Sequence, residues 1–226
     1  MKQNTGGLHD NTIILAVPKG RIFQELSPIL NRVGIIPEAA FAQDESRQLR
    51  FATNIPYLDI IRVRSFDVAS FVAFGAAQLG VVGLDVLEEF YYDEVYAPLD
   101  LGIGRCHLSL AGKSDADRNL SHYSHLKIST KYPDLTRRYF AQIGVEAECI
   151  KLNGALELAP QMGLSDYIVD LVSSGATLRA NGLVEIEKIL DVSARLIVNR
   201  TCLKTRSHLM SHWLKLFKDA VAEHRP

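Results

Sequence analysis

Short apolar runs alternate with longer amphipathic stretches along most of this chain. That alternation predicts buried strands each followed by a helix. The first run, Thr12 to Val17, leads through Pro18-Lys19-Gly20-Arg21 into a stretch with Ile22, Leu26, Ile29 or Leu30, and Val33 on one face, stopping at Gly34. Pro28 should kink or limit that helix. A second strand is expected from Leu58 to Val63. A helix N-capped by Asp67 follows, then a strand from Leu79 to Val82 and a helix capped by Asp85. From Pro98 to Gly104 the periodicity fades, which suggests a crossing into a second lobe. There, Cys106 to Gly112, Leu126 to Thr130 and Glu148 to Leu152 read as strands. Pro133 opens a helix that ends at Gly144, and a short helix ends near Pro160. The run Tyr167 to Val172 is the pattern of a strand buried on both faces. Residues 184–199 should cross back, and a closing helix is expected from Ser207 to Glu223, its apolar face made by Leu209, Trp213, Leu216, Phe217 and Ala220. The expected fold is α/β: two lobes, 1–100 with 195–226 and 101–194, whose sheets are largely parallel and covered by helices.

Composition narrows the class. The 226 residues are 47% hydrophobic and 23% charged, with 25 Lys plus Arg against 26 Asp plus Glu, as in an ordinary globular protein. A net charge of −1 gives no basic face for sequence-blind binding of nucleic acid, so no nucleic-acid partner is expected. Residues 1–10 read as a polar leader with no apolar signal core, and no apolar stretch is long enough to span a bilayer. A cytoplasmic protein with no membrane partner is the expectation. Cys106, Cys149 and Cys202 are widely spaced and odd in number, which suits free thiols. His122 with His125, and His208 with His212, lack a third ligand nearby, so no protein metal site is expected.

Candidate chemistry gathers after the strand at 167–172. Ser173, Ser174, Gly175, Ala176 and Thr177 form a small hydroxyl-rich turn whose N–H groups can converge on an anion before the next helix. Asp170 stands just inside it, placed to accept from sugar hydroxyls. In open α/β sheets ligands bind beyond the carboxyl ends of strands, where this turn belongs. The same pattern serves as plain connection in many proteins. Lys19 and Arg21 flank a glycine between strand and helix, a reasonable grip on a di- or triphosphate, or else a solvated turn. Arg47 lies in the polar connection 44–51, and Arg64 follows a strand end. The run Phe90-Tyr91-Tyr92-Asp93-Glu94 reads as a domain edge or subunit contact.

Several ordered blocks resemble one family, the catalytic ATP phosphoribosyltransferases that begin histidine biosynthesis. They are PKGR at 18–21, SRQL at 46–49, VRSFDV at 63–68, GAAQLGVVGLDVL at 75–87, TKYPDLTRRYF at 130–140 and LELAPQMGLSDYIVDLVSSGATLRANGL at 156–183. The resemblance spans about residues 12–217 and implies a fold similar to type II periplasmic binding proteins, with the active site in the cleft between lobes. It implies that ATP and phosphoribosyl pyrophosphate are the substrates. The loop Ser173 to Thr177 would hold the 5′-phosphate, with Glu157 and Asp170 on the ribose hydroxyls. Lys19, Arg21 and Arg47, and with them Arg64, would face the pyrophosphate and the ATP phosphates. Mg²⁺ is implied as a companion of pyrophosphate.

The length resembles the short form of the family. That form implies a separate regulatory subunit similar to a histidyl-tRNA synthetase, in a hetero-oligomer containing catalytic dimers. The chain departs from the family pattern at Ala73-Phe74, Gln78, Leu84 and His107, away from the phosphate loop. Two other readings compete: a non-enzymatic solute-binding module, which shares the architecture, and a phosphoribosyltransferase for a different base.

Overall fold

The structure is a computed structural model that describes residues 12–42 and 47–223. The expected leader at 1–10 and Ser46 of the SRQL block lie outside the described residues. The chain folds into two compact units. Unit 1 comprises Met1–Val82, Tyr92–Ile103 and Ala194–Pro226, and unit 2 comprises Gly83–Tyr91 and Gly104–Ser193. The boundaries expected from the sequence keep residues 83–91 with the first lobe. Their hydrogen bonds to the helix that begins at Pro133 place them in unit 2 instead, so the chain passes between units at 82/83, 91/92, 103/104 and 193/194.

Unit 1 is built on a six-stranded sheet. Its strands are β1 (Ile13–Pro18), β2 (Arg50–Ala52), β3 (Leu58–Val63), β4 (Leu79–Gly83), β5 (Val95–Asp100) and β11 (Ala194–Asn199), in the order β2-β3-β1-β4-β11-β5. β3, β1 and β4 are parallel, whereas β2 runs antiparallel to β3, and β5 antiparallel to β11. The sheet is therefore mixed. β1 is buried along its whole length, as an unbroken apolar run requires when both faces are covered.

Helix α1 (Arg21–Val33) buries Leu26, Ile29, Leu30 and Val33 and stops at Gly34 in the left-handed conformation, with Pro28 inside it. Helix α2 (Ser65–Ala73) starts two residues before the expected cap, so Asp67 sits in its first turn and Arg64 at the N-cap. An acidic side chain there still faces the positive helix end. Toward the C-terminus come α7 (Arg200–Thr205), which the sequence pattern does not separate, and α8 (Ser207–Ala222). α8 buries Met210, Trp213, Phe217, Ala220 and Val221 in the same core as β1 and α1, a face rotated slightly from the expected one.

Unit 2 holds a five-stranded sheet in the order β10-β6-β9-β7-β8. The strands are β6 (Cys106–Lys113), β7 (His125–Thr130), β8 (Glu146–Lys151), β9 (Tyr167–Val172) and β10 (Leu183–Val192). β9, β7 and β8 are parallel, while β6 is antiparallel to both β9 and β10. The expected crossing at 184–199 is thus two strands, β10 and β11, on either side of Ser193. The helices are α3 (Leu84–Phe90), α4 (Pro133–Gln142), α5 (Leu158–Gln161) and α6 (Ala176–Ala180). Asp85 lies in the first turn of α3 with Gly83 at the N-cap, so it is not the cap the sequence suggests. Ala111, Leu156, Ala159, Ile168, Val172, Leu178 and Leu183 form an apolar cluster beneath the 173–177 loop.

Candidate active site

β9, β7 and β8 run in parallel, so their carboxyl ends share one edge of the unit 2 sheet. Val169 pairs with Thr130, which pairs in turn with Lys151. At that edge Glu157, Asp170 and every residue from Ser173 to Thr177 line one concavity of about 150 Å³. The turn is formed by Gly175, at φ 69° and ψ 7°. That left-handed conformation strains any residue with a Cβ, so glycine belongs here. The Ala176 N–H donates to Ser174 Oγ at 3.4 Å, and the Arg179 guanidinium donates to the Ser174 carbonyl at 3.0 Å. Arg179, a cation fastened to the loop, is not among the residues expected from the sequence. Its place in the first helical turn after a small-residue loop is the signal that could have found it.

Asp170 lies two residues from the end of β9 and is partly buried. Its Oδ1 accepts the Leu171 N–H at 2.8 Å. Burial pushes its carboxyl above the usual range, and the Glu157 and Asp85 charges push the same way, while the Leu171 N–H and Lys131 oppose them. Directly across on β6 is Ser109, which is buried and donates to Glu185 Oε1 at 2.8 Å. His107 reaches the same carboxylate oxygen at 2.8 Å. The chain enters Glu157 through Ala155, held at φ 53°. A non-glycine residue in that region marks a constrained loop.

The expected cations belong to unit 1. Val63 O accepts the Lys19 N–H at 3.1 Å, which continues the β1–β3 ladder and sets Lys19 and Arg64 at the carboxyl edge of adjacent strands. β2 runs antiparallel to β3, with Arg50 opposite Ile61, so the chain traced back to Arg47 heads for the same edge. Arg21 begins α1, behind Gly20 at φ 90° and ψ −149°, a backbone region open in practice to glycine alone. Helix α1 has no acidic residue in its first turn and no side-chain cap at its N-terminus, an arrangement suited to an anion. Lys19, Arg21, Arg47 and Arg64 are all exposed, and Arg21 lies 3.8 Å from Glu25 in a surface pair of small energetic weight. Among the described residues, no group of three or more His, Cys, Asp or Glu could hold a metal ion. No described helix is long and apolar enough to cross a membrane.

Comparison with known proteins matches residues 64–219 to the family model described as ATP phosphoribosyltransferase. An ATP phosphoribosyltransferase of Rhodospirillum rubrum is 59% identical over 210 residues, covering 92% of each chain. A solved structure titled ATP phosphoribosyl transferase (HisG:HisZ) complex from Thermotoga maritima superposes with a TM-score of 0.79 at 29% identity, over 95% of this chain and all of that one. The periplasmic aliphatic sulphonate binding protein SsuA of Escherichia coli shares the fold alone, with a TM-score of 0.57 at 12% identity, over 95% of this chain and 70% of that one. The chain belongs to the ATP phosphoribosyltransferase family, enzymes that transfer the phosphoribosyl group of phosphoribosyl pyrophosphate to N1 of ATP in the first step of histidine biosynthesis.

Proposed function

We propose that the concavity at 157–178 holds the phosphoribosyl end of phosphoribosyl pyrophosphate, and that the unit 1 cations act on the pyrophosphate and the ATP phosphates. The observation that carries this reading is that Glu157, Asp170 and the whole 173–177 loop line one small concavity. Its size suits a sugar phosphate rather than an entire nucleotide. The loop N–H groups and hydroxyls receive the 5′-phosphate. Asp170 and Glu157, as hydrogen-bond acceptors, take the ribose hydroxyls.

The reaction asks little of the enzyme in proton transfer. The N1 lone pair of adenine forms the new bond to the anomeric carbon as the bond to pyrophosphate breaks, its electron pair leaving with pyrophosphate. No general base and no covalent enzyme nucleophile is required. Charge grows on the departing pyrophosphate, so fixed cations lower the barrier by meeting it there. Lys19, Arg21 and Arg47 take that role, with Arg64 beside Lys19. Mg²⁺ would come as a companion of pyrophosphate and supply positive charge to it. The carboxylates of Glu157 and Asp170 are hard oxygen donors of the kind it accepts.

The partnership is proposed on the same footing. The Thermotoga maritima structure is titled a HisG:HisZ complex. This chain is proposed to work in the cytoplasm with a regulatory subunit similar to histidyl-tRNA synthetase, in a hetero-oligomer containing catalytic dimers. Co-purification from the host with mass identification of the bound chain tests the partnership; recovery of the catalytic chain alone counts against it. Asp170→Asn tests the site. It should raise KM for phosphoribosyl pyrophosphate and leave KM for ATP near its original value. A change in the ATP constant alone would reverse the assignment.

A further inference from the structure

One buried polar network in unit 2 has no part in the roles proposed above. It fastens the turn Thr130-Lys131-Tyr132 between β7 and α4. Thr130 Oγ1 donates to the Val169 carbonyl at 2.8 Å and accepts the Tyr132 N–H at 3.0 Å. The Tyr132 hydroxyl donates to Asp85 Oδ2 on α3 at 2.7 Å. One turn further along α3, Glu89 accepts the N–H groups of Asp134 at 3.2 Å and Leu135 at 2.9 Å, in the first turn of α4. Thr130, Tyr132, Asp85 and Glu89 are each no more than 5% exposed. Polar groups so withdrawn from water are costly unless bonded, and once bonded they fix a single geometry.

That geometry presents Lys131. The parallel β7–β9 ladder ends with Thr130 beside Val169, so Lys131 opens the turn at the strand end directly after the residue paired with Asp170's chain neighbour. Lys131 is partly buried, and its charge acts on both Asp170 and Asp85.

We propose that Lys131 is a positioning residue for the phosphoribosyl substrate: fixed by the Thr130, Tyr132 and Asp85 network, its ammonium supports Asp170 as the carboxylate that accepts the ribose hydroxyls. This rests on the assignment of Asp170 to the ribose. Asp170 stands among groups from every neighbouring element. Glu157 comes from the β8–α5 connection and Asp85 from α3, while β6 brings His107 and, directly opposite, Ser109. β10 brings Glu185, bonded to His107 and Ser109. Burial and the Glu157 and Asp85 carboxylates favour a protonated Asp170, and Lys131 supplies the positive charge against them.

The test compares wild type with Lys131→Met, Lys131→Arg and Asp170→Asn as full chains, by steady-state kinetics with ATP and phosphoribosyl pyrophosphate across the acid limb. Lys131→Met should raise KM for phosphoribosyl pyrophosphate severalfold on the acid limb, because the charge that opposes burial of Asp170 is gone. KM for ATP should hold within about twofold. Loss of the cation should also move the acid limb of kcat/KM for phosphoribosyl pyrophosphate to higher pH, and Lys131→Arg should restore it. A merely structural role would leave that limb in place. Lys131→Gln gives the same reading should the methionine variant fold poorly. If Asp170→Asn raises KM but Lys131→Met neither raises it nor moves the limb, the role of Lys131 is refuted alone. If Asp170→Asn leaves KM unchanged, the ribose assignment falls and this inference with it.

Discussion

Replacing Gly175 by Ala tests whether the loop geometry itself binds substrate. Gly175 holds φ 69° and ψ 7°. A Cβ there would lie 2.9 Å from Arg179 Nη1. That atom ends a long flexible side chain and can move away, so the steric part is small and the backbone part dominates. An L-residue in the left-handed region costs about 1 to 2 kcal/mol. If the loop relieves that strain by leaving its binding conformation, the competent population falls about 5- to 30-fold, and affinity for phosphoribosyl pyrophosphate falls with it. If the loop is held by its contacts, the strain appears as lost stability, about 2 to 4 °C in Tm for each kcal/mol in a chain of this size. Calorimetric titration and a thermal melt on the same sample separate the two outcomes. Gly175→Asn should be milder in both, because Asn enters the left-handed region more readily. A Gly175→Ala variant with unchanged affinity and unchanged Tm would show that the left-handed turn is not what the substrate needs.

Three further outcomes are expected. Arg21→Ala should lower kcat by an amount equivalent to about 2 to 4 kcal/mol if Arg21 meets charge on the leaving pyrophosphate, as for loss of an oxyanion donor. Its Tm should hold, because the side chain is 47% exposed and its pair with Glu25 is a surface one; unchanged kinetics with both substrates would remove Arg21 from the site. Asp170→Asn should raise stability at neutral pH while lowering activity. Burial raises the folded-state pKa of Asp170, so the folded state binds the proton more tightly than the unfolded state does. The stability this group contributes is full below its unfolded pKa and declines as pH rises through the folded one, so the advantage of the variant should shrink on acidification. Parallel Tm profiles for the two proteins would contradict this. Gly83→Ala should destabilise unit 2 by about 1 to 3 kcal/mol, the cost of overpacking, because the added Cβ would collide with the Asp85 carboxylate. A denaturant midpoint equal to wild type would show that Asp85 yields freely.

Much of the fold can be read from the sequence where local pattern and tertiary demand agree. β1 is an unbroken apolar run and β9 one interrupted only by Asp170, and α1 carries its apolar face and its glycine stop on the chain itself. The 173–177 loop is legible for the same reason, since strand, small-residue turn and helix are contiguous. Asp85 shows where such reading ends. Its sequence context suits a helix cap, yet its carboxylate turns to the Tyr132 hydroxyl, 47 residues away. No local pattern encodes that bond. Lys131 reads locally as part of a turn, and no local pattern shows that Thr130, just before it, pairs with Val169, just before Asp170.

β5 gives no strand signal for a different reason. It is an edge strand with Pro98 inside it and mostly part-exposed positions, so it lacks the alternation of a half-buried strand. β10 is interrupted by register shifts between Glu185 and Glu187 and between Lys188 and Leu190, which blur its period of two. The family match decides against the two competing readings, a solute-binding module and a transferase for another base, which architecture alone could not separate.

The decisive experiment is a structure of the chain with phosphoribosyl pyrophosphate bound. The 5′-phosphate should lie within hydrogen-bond distance of the N–H groups and hydroxyls of the 173–177 loop, with Asp170 and Glu157 accepting the ribose hydroxyls. A 5′-phosphate bound elsewhere, with that loop making no contact to the sugar phosphate, would contradict the proposed site.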